Sequence, residues 1–274
     1  MKKLLAALAV AAAFTGSAFA ADLPARTYTK APAPMAAVYN WTGFYVFGGA
    51  GGGLWDADTT VVDRLRGCVA GISLCGFNQT QGGNGWFGTV GAGYDWQFSG
   101  RWVAGIFGDG QFGSIRGTIQ DQQPFFAGRE NLRDSWAAGI RVGYLVAPNV
   151  LSYVNAGYSG SNWSGTQMFD TRTGAPVGVH TDSFNRNGWF IGGGVENNLD
   201  IFGITAPGWF MKTEYRSAFY DTKQINELVN GTNVPFVGFA GGTGDAITFK
   251  PMVQTISTSL VYRFNWTGPV VAKY

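Results

Sequence analysis

The chain has 274 residues, of which 42 are Gly and 42 are aromatic (10 Trp, 11 Tyr, 21 Phe), while only 13% are charged. Such a composition is far from that of an average water-soluble domain and implies that something other than water faces the rings. The net charge of +2 is contributed by Lys2 and Lys3, and without them 17 basic side chains stand against 17 acidic ones, a balance that argues against nucleic acid as a partner.

In chain order, Lys2 and Lys3, the apolar run 4–14 and the small-residue site at Ala18 and Ala20 predict a secretory signal over 1–20, cleaved near Ala20. The run is too short to span a bilayer. No later stretch approaches 18 consecutive apolar residues, so a mature chain that enters a membrane must do so as a closed barrel. Residues 21–40 carry Pro24, Pro32 and Pro34 without periodicity and are expected to form a flexible arm.

From Trp41 the pattern predicts eight strands, at about 41–55, 84–98, 102–115, 135–146, 150–161, 187–199, 209–219 and 248–264. Short links at 99–101, 147–149 and 200–208 alternate with long ones near 56–83, 116–134, 162–186 and 220–247. An up-and-down barrel with both ends in the periplasm requires that alternation, with the long links facing outward. Aromatic residues recur where two membrane interfaces would fall: Trp86 with Trp96, Trp102 with Phe112, Trp136 with Tyr144, and Trp209 with Phe219, joined by Trp189, Tyr262 and Phe264. The spacings match the roughly 9–11 residues that a tilted transmembrane strand needs, and they predict two girdles.

Alternation also separates inside from outside. Trp136, Ala138, Ile140, Val142 and Tyr144 share one face and Arg141 the other, so Arg141 is expected in the lumen, because a charge against mid-bilayer lipid costs roughly 2–4 kcal/mol. The same reasoning turns Asp109, Glu196, Lys212, Glu214 and Arg216 inward, together with Asp95 and Arg263 near the periplasmic rim. Four acids then balance four bases in a space just wide enough for side chains to fill, which favours a plug of ion pairs over an open channel. The glycines among them, including Gly91, Gly93, Gly139, Gly143, Gly192 and Gly194, are expected to leave room for long charged neighbours. The first and fifth strands are too rich in Gly and aromatic residues for their faces to be assigned.

The motifs NWTGFYV (40–46), RVGY (141–144), GGGVE (192–196), KTEYR (212–216) and LVYRF (260–264) resemble the outer-membrane immunogenic proteins of alphaproteobacteria. Those are OmpA-like eight-stranded barrels often labelled "porin family". The resemblance implies an all-β, transmembrane antiparallel barrel over 41–264, with a surface-exposed, structural role in the envelope of a Gram-negative cell. It implies outer-membrane lipid and lipopolysaccharide as surroundings and recognition of the closing strand by the barrel-assembly machinery; the chain itself is expected to be a monomer. One departure is the tail 265–274, which continues past Phe264.

Cys68 and Cys75, the only cysteines, lie in the first long link, and in an exported chain they are expected to form a disulfide rather than a metal site. No catalytic set, cofactor or metal is expected. His180, followed by Thr181 and Asp182, is the one place where hydrolytic chemistry could start, and a His beside an Asp in a polar loop is ordinarily solvated surface. Two other readings remain open: a narrow passive pore, and a surface protein that binds haem or a host ligand through Phe125, Phe126, Phe169, Phe236 and Phe239 of the long links.

Overall fold

A computed structural model of the chain describes residues 39–68, 78–121, 125–204, 206–238 and 242–264. The signal segment, nearly all of the arm, the tail, Cys75 and Phe239 lie outside the described residues. Among the described residues eleven strands follow one another: β1 (Gly43–Asp63), β2 (Gln79–Phe98), β3 (Trp102–Asp121), β4 (Phe126–Ala147), β5 (Val150–Trp163), β6 (Thr166–Asp170), β7 (Pro176–Thr181), β8 (Phe184–Asn198), β9 (Trp209–Tyr220), β10 (Lys223–Val229) and β11 (Asp245–Arg263). All pairings are antiparallel, and β1, β2, β3, β4, β5, β8, β9 and β11 form a ring that β11 closes against β1 over Tyr45↔Arg263 to Asp63↔Asp245. Full closure removes the unpaired edges that no strand could leave in hydrocarbon.

The aromatic side chains form two bands on the outside of this ring. At the end that holds the short links, Phe44 packs on Tyr94, Trp102 on Tyr144, Trp209 on Tyr262 and Tyr262 on Phe264, with ring centroids 4.7 to 5.2 Å apart. Eight to ten residues along the strands, Trp136 meets Tyr158 and Trp189 stacks on Phe219, level with the exposed Trp86 and Phe112. Between the bands the outward residues are Val90, Ile106, Ile140, Val142, Val154, Ile191, Ile256 and Leu260, an apolar belt facing lipid. The link at 99–101 is tight because Ser99 and Gly100 both take positive φ (50° and 74°), the turn that matches the twist of the flanking strands.

The long links depart from expectation. Much of 56–63, 116–121, 126–134, 166–181 and 223–229 is strand, and β6, β7 and β10 carry the wall beyond the outer girdle. There β4 pairs with β6, β6 with β7, β7 with β10 and β10 with β11, so an eight-membered circuit closes a second time above the membrane belt. Some ten residues of each stave lie in this crown, which rises roughly 25 Å at ordinary strand rise and tilt. These segments read as loops because their outward positions carry charge, such as Asp58, Arg116, Arg129 and Lys250, as a face in water should.

Four adjacent staves change face on entering the crown. The inward set of β5 is odd-numbered (Leu151, Tyr153, Asn155), yet Met168 points inward in β6; β8 and β9 turn even residues inward, and β7 and β10 turn in Val179, Thr181, Ile225 and Glu227. In β4 the change falls at the irregularity between Leu132 and Asp134. One extra residue per stave exchanges the two faces, which is the effect of a bulge or break.

Candidate functional site: the barrel lumen

The eight charged residues predicted for the lumen all lie inside it, and each is at least 92% buried. They fall into two groups. In the lower one, Asp95, Arg141, Glu196 and Arg263 close a four-membered ring. Arg141 makes a forked contact with Asp95 and reaches Glu196 at 3.1 Å, while Arg263 donates to Asp95 at 2.8 Å and from Nε to Glu196 at 2.7 Å. In the upper one, Arg216 holds both oxygens of Asp109 at 3.0 and 2.7 Å and one oxygen of Glu214 at 2.7 Å. The other Glu214 oxygen accepts from the Tyr153 hydroxyl at 2.7 Å, with the Lys212 ammonium 3.6 Å away. Each acid thus touches a cation, the condition on which buried charge persists.

Rings line the charges, a feature that alternation alone does not reveal. The Arg141 guanidinium lies 4.4 Å over Tyr45 and 5.1 Å over Tyr153, Lys212 3.3 Å over Phe47, Arg216 4.6 Å over Phe190 and Arg263 4.5 Å over Trp41. A desolvated cation gains on the order of 2 kcal/mol from such a face. The faces of β1 and β5 are thereby assigned: Tyr45, Phe47 and Tyr153 point inward, and Phe44, Val46 and Val154 outward. The glycines make room mainly for these rings. A Cβ on Gly93 would fall 2.3 Å from the Tyr45 hydroxyl and one on Gly91 2.5 Å from Phe47, whereas Gly105 yields to the Asp95 carboxylate.

Asp95 and Arg263 are near the periplasmic end yet are not solvated, since beneath them Tyr39, Trp41 and Phe210 pack at 4.8 to 6.0 Å into an aromatic floor. Above the charges the interior turns apolar, with Trp163 and Phe249 packed on each other and each on Trp55 and Phe184, and Ile115, Ile119, Leu132, Met168, Ile225 and Ile247 around them. Carboxylates return in the crown: Glu130 is fully buried, and burial pushes its carboxyl up to about 8 against a single opposing backbone N–H from Asn131.

The outward loops hold less chemistry. His180 Nδ1 pairs with Asn230 Oδ1 at 2.8 Å and Nε2 lies 3.7 Å from Asp182, so both ring nitrogens are engaged, while Thr181 is buried on the other face of β7. Phe125 and Phe169 are exposed, but Phe126 and Phe236 pack on each other at 5.4 Å inside the crown. Cys68 is disulfide-bonded.

The 31 kDa outer-membrane immunogenic protein of Brucella melitensis is 29% identical over 224 residues, covering 78% of this chain and 85% of that one, and the Brucella suis protein matches to the same extent. The chain is a homologue of these immunogenic proteins. Among solved structures, the outer membrane protein OprG from Pseudomonas aeruginosa superposes with a TM-score of 0.51 over 83% of this chain and all of that one, at 10% identity, a likeness of fold. No family model matches. Homology and fold agree on an antiparallel outer-membrane β-barrel set in lipid and lipopolysaccharide, with a ring of eight strands.

Proposed function

We propose that this homologue is a closed barrel whose role is structural and surface-exposed, without enzymatic activity and without a conducting pore. The observation that carries the reading is the complete pairing of eight lumen charges between an aromatic floor and an apolar ceiling. An ion crossing the lumen would have to part buried pairs, and removing one partner of such a pair costs roughly 3–5 kcal/mol. On the same reading the signal is cleaved near Ala20, the strand ending in Tyr262 and Phe264 is read by the assembly machinery, and the barrel is monomeric.

Single-channel recording tests it. Residues 21–274, refolded in lipid and checked by the heat-dependent gel shift of folded barrels, are expected to be silent in a planar bilayer. An Arg141→Ala/Glu214→Ala variant, which opens both charged groups at once, is expected to conduct. Steady current through the unaltered barrel would make it a narrow diffusion pore and end the proposal.

A further inference from the structure

Three carboxylates meet inside the crown. Asp121 ends β3, Glu227 lies in β10 and Asp245 opens β11, and one oxygen of each lies within 4.8 Å of the others. Asp121 and Glu227 are fully buried, and Asp245 is partly open. They come from opposite walls, because β1 and β2 separate β3 from β11 on one side and β4, β6 and β7 separate it from β10 on the other.

Glu227 is the informative member. Both of its oxygens are sealed from solvent, and among the described residues neither accepts a hydrogen bond. Asp63, the register partner of Asp245, shows what the fold provides for an acid that it satisfies internally. Its carboxylate accepts the Thr243 N–H at 2.7 Å, the Thr243 hydroxyl at 2.6 Å and the N–H groups of Arg66 and Leu65 at 2.8 and 3.1 Å. Burial pushes the Glu227 carboxyl up, and the charges of Asp121 and Asp245, together with a side-chain contact to Asp121 that favours the protonated form, push in the same direction. A buried carboxylate without donors is strongly unfavourable unless a cation or a proton joins it.

We infer that Asp121, Glu227 and Asp245 form a site for a hard divalent cation of the calcium type, which ties β3 to β10 and β11 across the crown. The donor set is all oxygen and carries up to three negative charges, the chemistry that selects calcium or magnesium over softer metals. Calcium fits better of the two, since it accepts irregular carboxylate geometry completed by carbonyl and water oxygens, whereas magnesium demands a near-ideal octahedron. Asp121 and Asp245 also border the links 122–125 and 230–244, so the ion would fix the roots of both. The competing occupant is a proton shared between Glu227 and Asp121.

The test is calorimetric titration of calcium chloride into the refolded, lipopolysaccharide-free barrel after treatment with a chelator. One calcium per chain is expected, with a Kd of about 0.1–1 mM, the range of extracellular calcium sites. Glu227→Gln and, separately, Asp245→Asn are each expected to weaken binding at least tenfold, with folding verified by the gel shift. Glu130→Gln, buried in the crown but outside the cluster, should bind as the unaltered protein does. The inference is overturned by absence of saturable binding up to about 10 mM calcium, an order of magnitude above the weakest such sites, which assigns the cluster to a shared proton. It is equally overturned if folded Glu227→Gln and Asp245→Asn bind calcium like the unaltered barrel, which puts the ion elsewhere.

Discussion

Replacing Glu196 by Gln asks whether the lower charged ring acts as a unit. Glu196 is fully buried and accepts from Arg141 at 3.1 Å and from Arg263 at 2.7 Å, so Glu196→Gln leaves two guanidiniums sharing Asp95 alone, an uncompensated buried positive charge. The expected cost is roughly 3–5 kcal/mol. Arg263→Gln strips partners from both acids and leaves an excess negative charge of equal size, so its cost should be similar. The Glu196→Gln/Arg263→Gln variant is neutral again and retains the forked Arg141–Asp95 pair. Its loss should therefore fall short of the sum of the single losses by about 2–3 kcal/mol, the upper range for directly coupled residues. Reversible urea unfolding in phospholipid vesicles, followed by tryptophan fluorescence, gives all four stabilities. Additivity within about 0.5 kcal/mol, the behaviour of independent sites, would refute the reasoning and mean that water screens these charges.

Two further outcomes follow from other parts of the wall. Glu130 has a folded-state pKa raised by burial from 4.5 to about 8, so the folded barrel binds the extra proton and loses stability as pH rises from about 4.5 through about 8. At about 1.4 kcal/mol for each pH unit in that window the loss approaches ~5 kcal/mol, an upper limit if water penetrates. Glu130→Gln should then melt above the unaltered barrel at pH 9 and not at pH 4, and a difference independent of pH would sink the idea. Ile140 is 60% exposed midway between Trp136 and Tyr144. Ile140→Lys should cost roughly 2–4 kcal/mol in vesicles, the price of a charge at the bilayer midplane, and unchanged urea unfolding would show that the lipid belt lies elsewhere.

The membrane belt was legible because lipid imposes a simple rule there. Arg141 between Ile140 and Val142, or Lys212, Glu214 and Arg216 in alternation, can satisfy that rule in only one orientation. The crown was not legible, since water tolerates Arg116 or Lys250 outside it and the same charges are ordinary in loops. A change of face in four staves further hides the alternation from any window that crosses the break. Glu130, Asp121 and Glu227 were missed for the same reason, because an acid in an expected loop reads as solvated. Tyr45, Phe47 and Tyr153 sit among glycines and other aromatic residues, where both faces look apolar, and only packing against Arg141 and Lys212 tells them apart.

A crown built of strands also sets how this surface can diversify. Flexible loops tolerate change at every position, whereas in a paired wall each second residue fills the interior and only its neighbours are free. Variation at positions such as Asp58, Arg116, Arg129 and Lys250 alters what the outside world meets, while drift at Ile115, Ile119, Met168 or Ile247 opens the packing. Adjacent outward residues moreover belong to different staves, as Asp58 and Lys250 do across β1 and β11. A molecule that grips the crown from outside therefore reads a mosaic of distant chain segments, and denaturation erases that mosaic while leaving every segment intact.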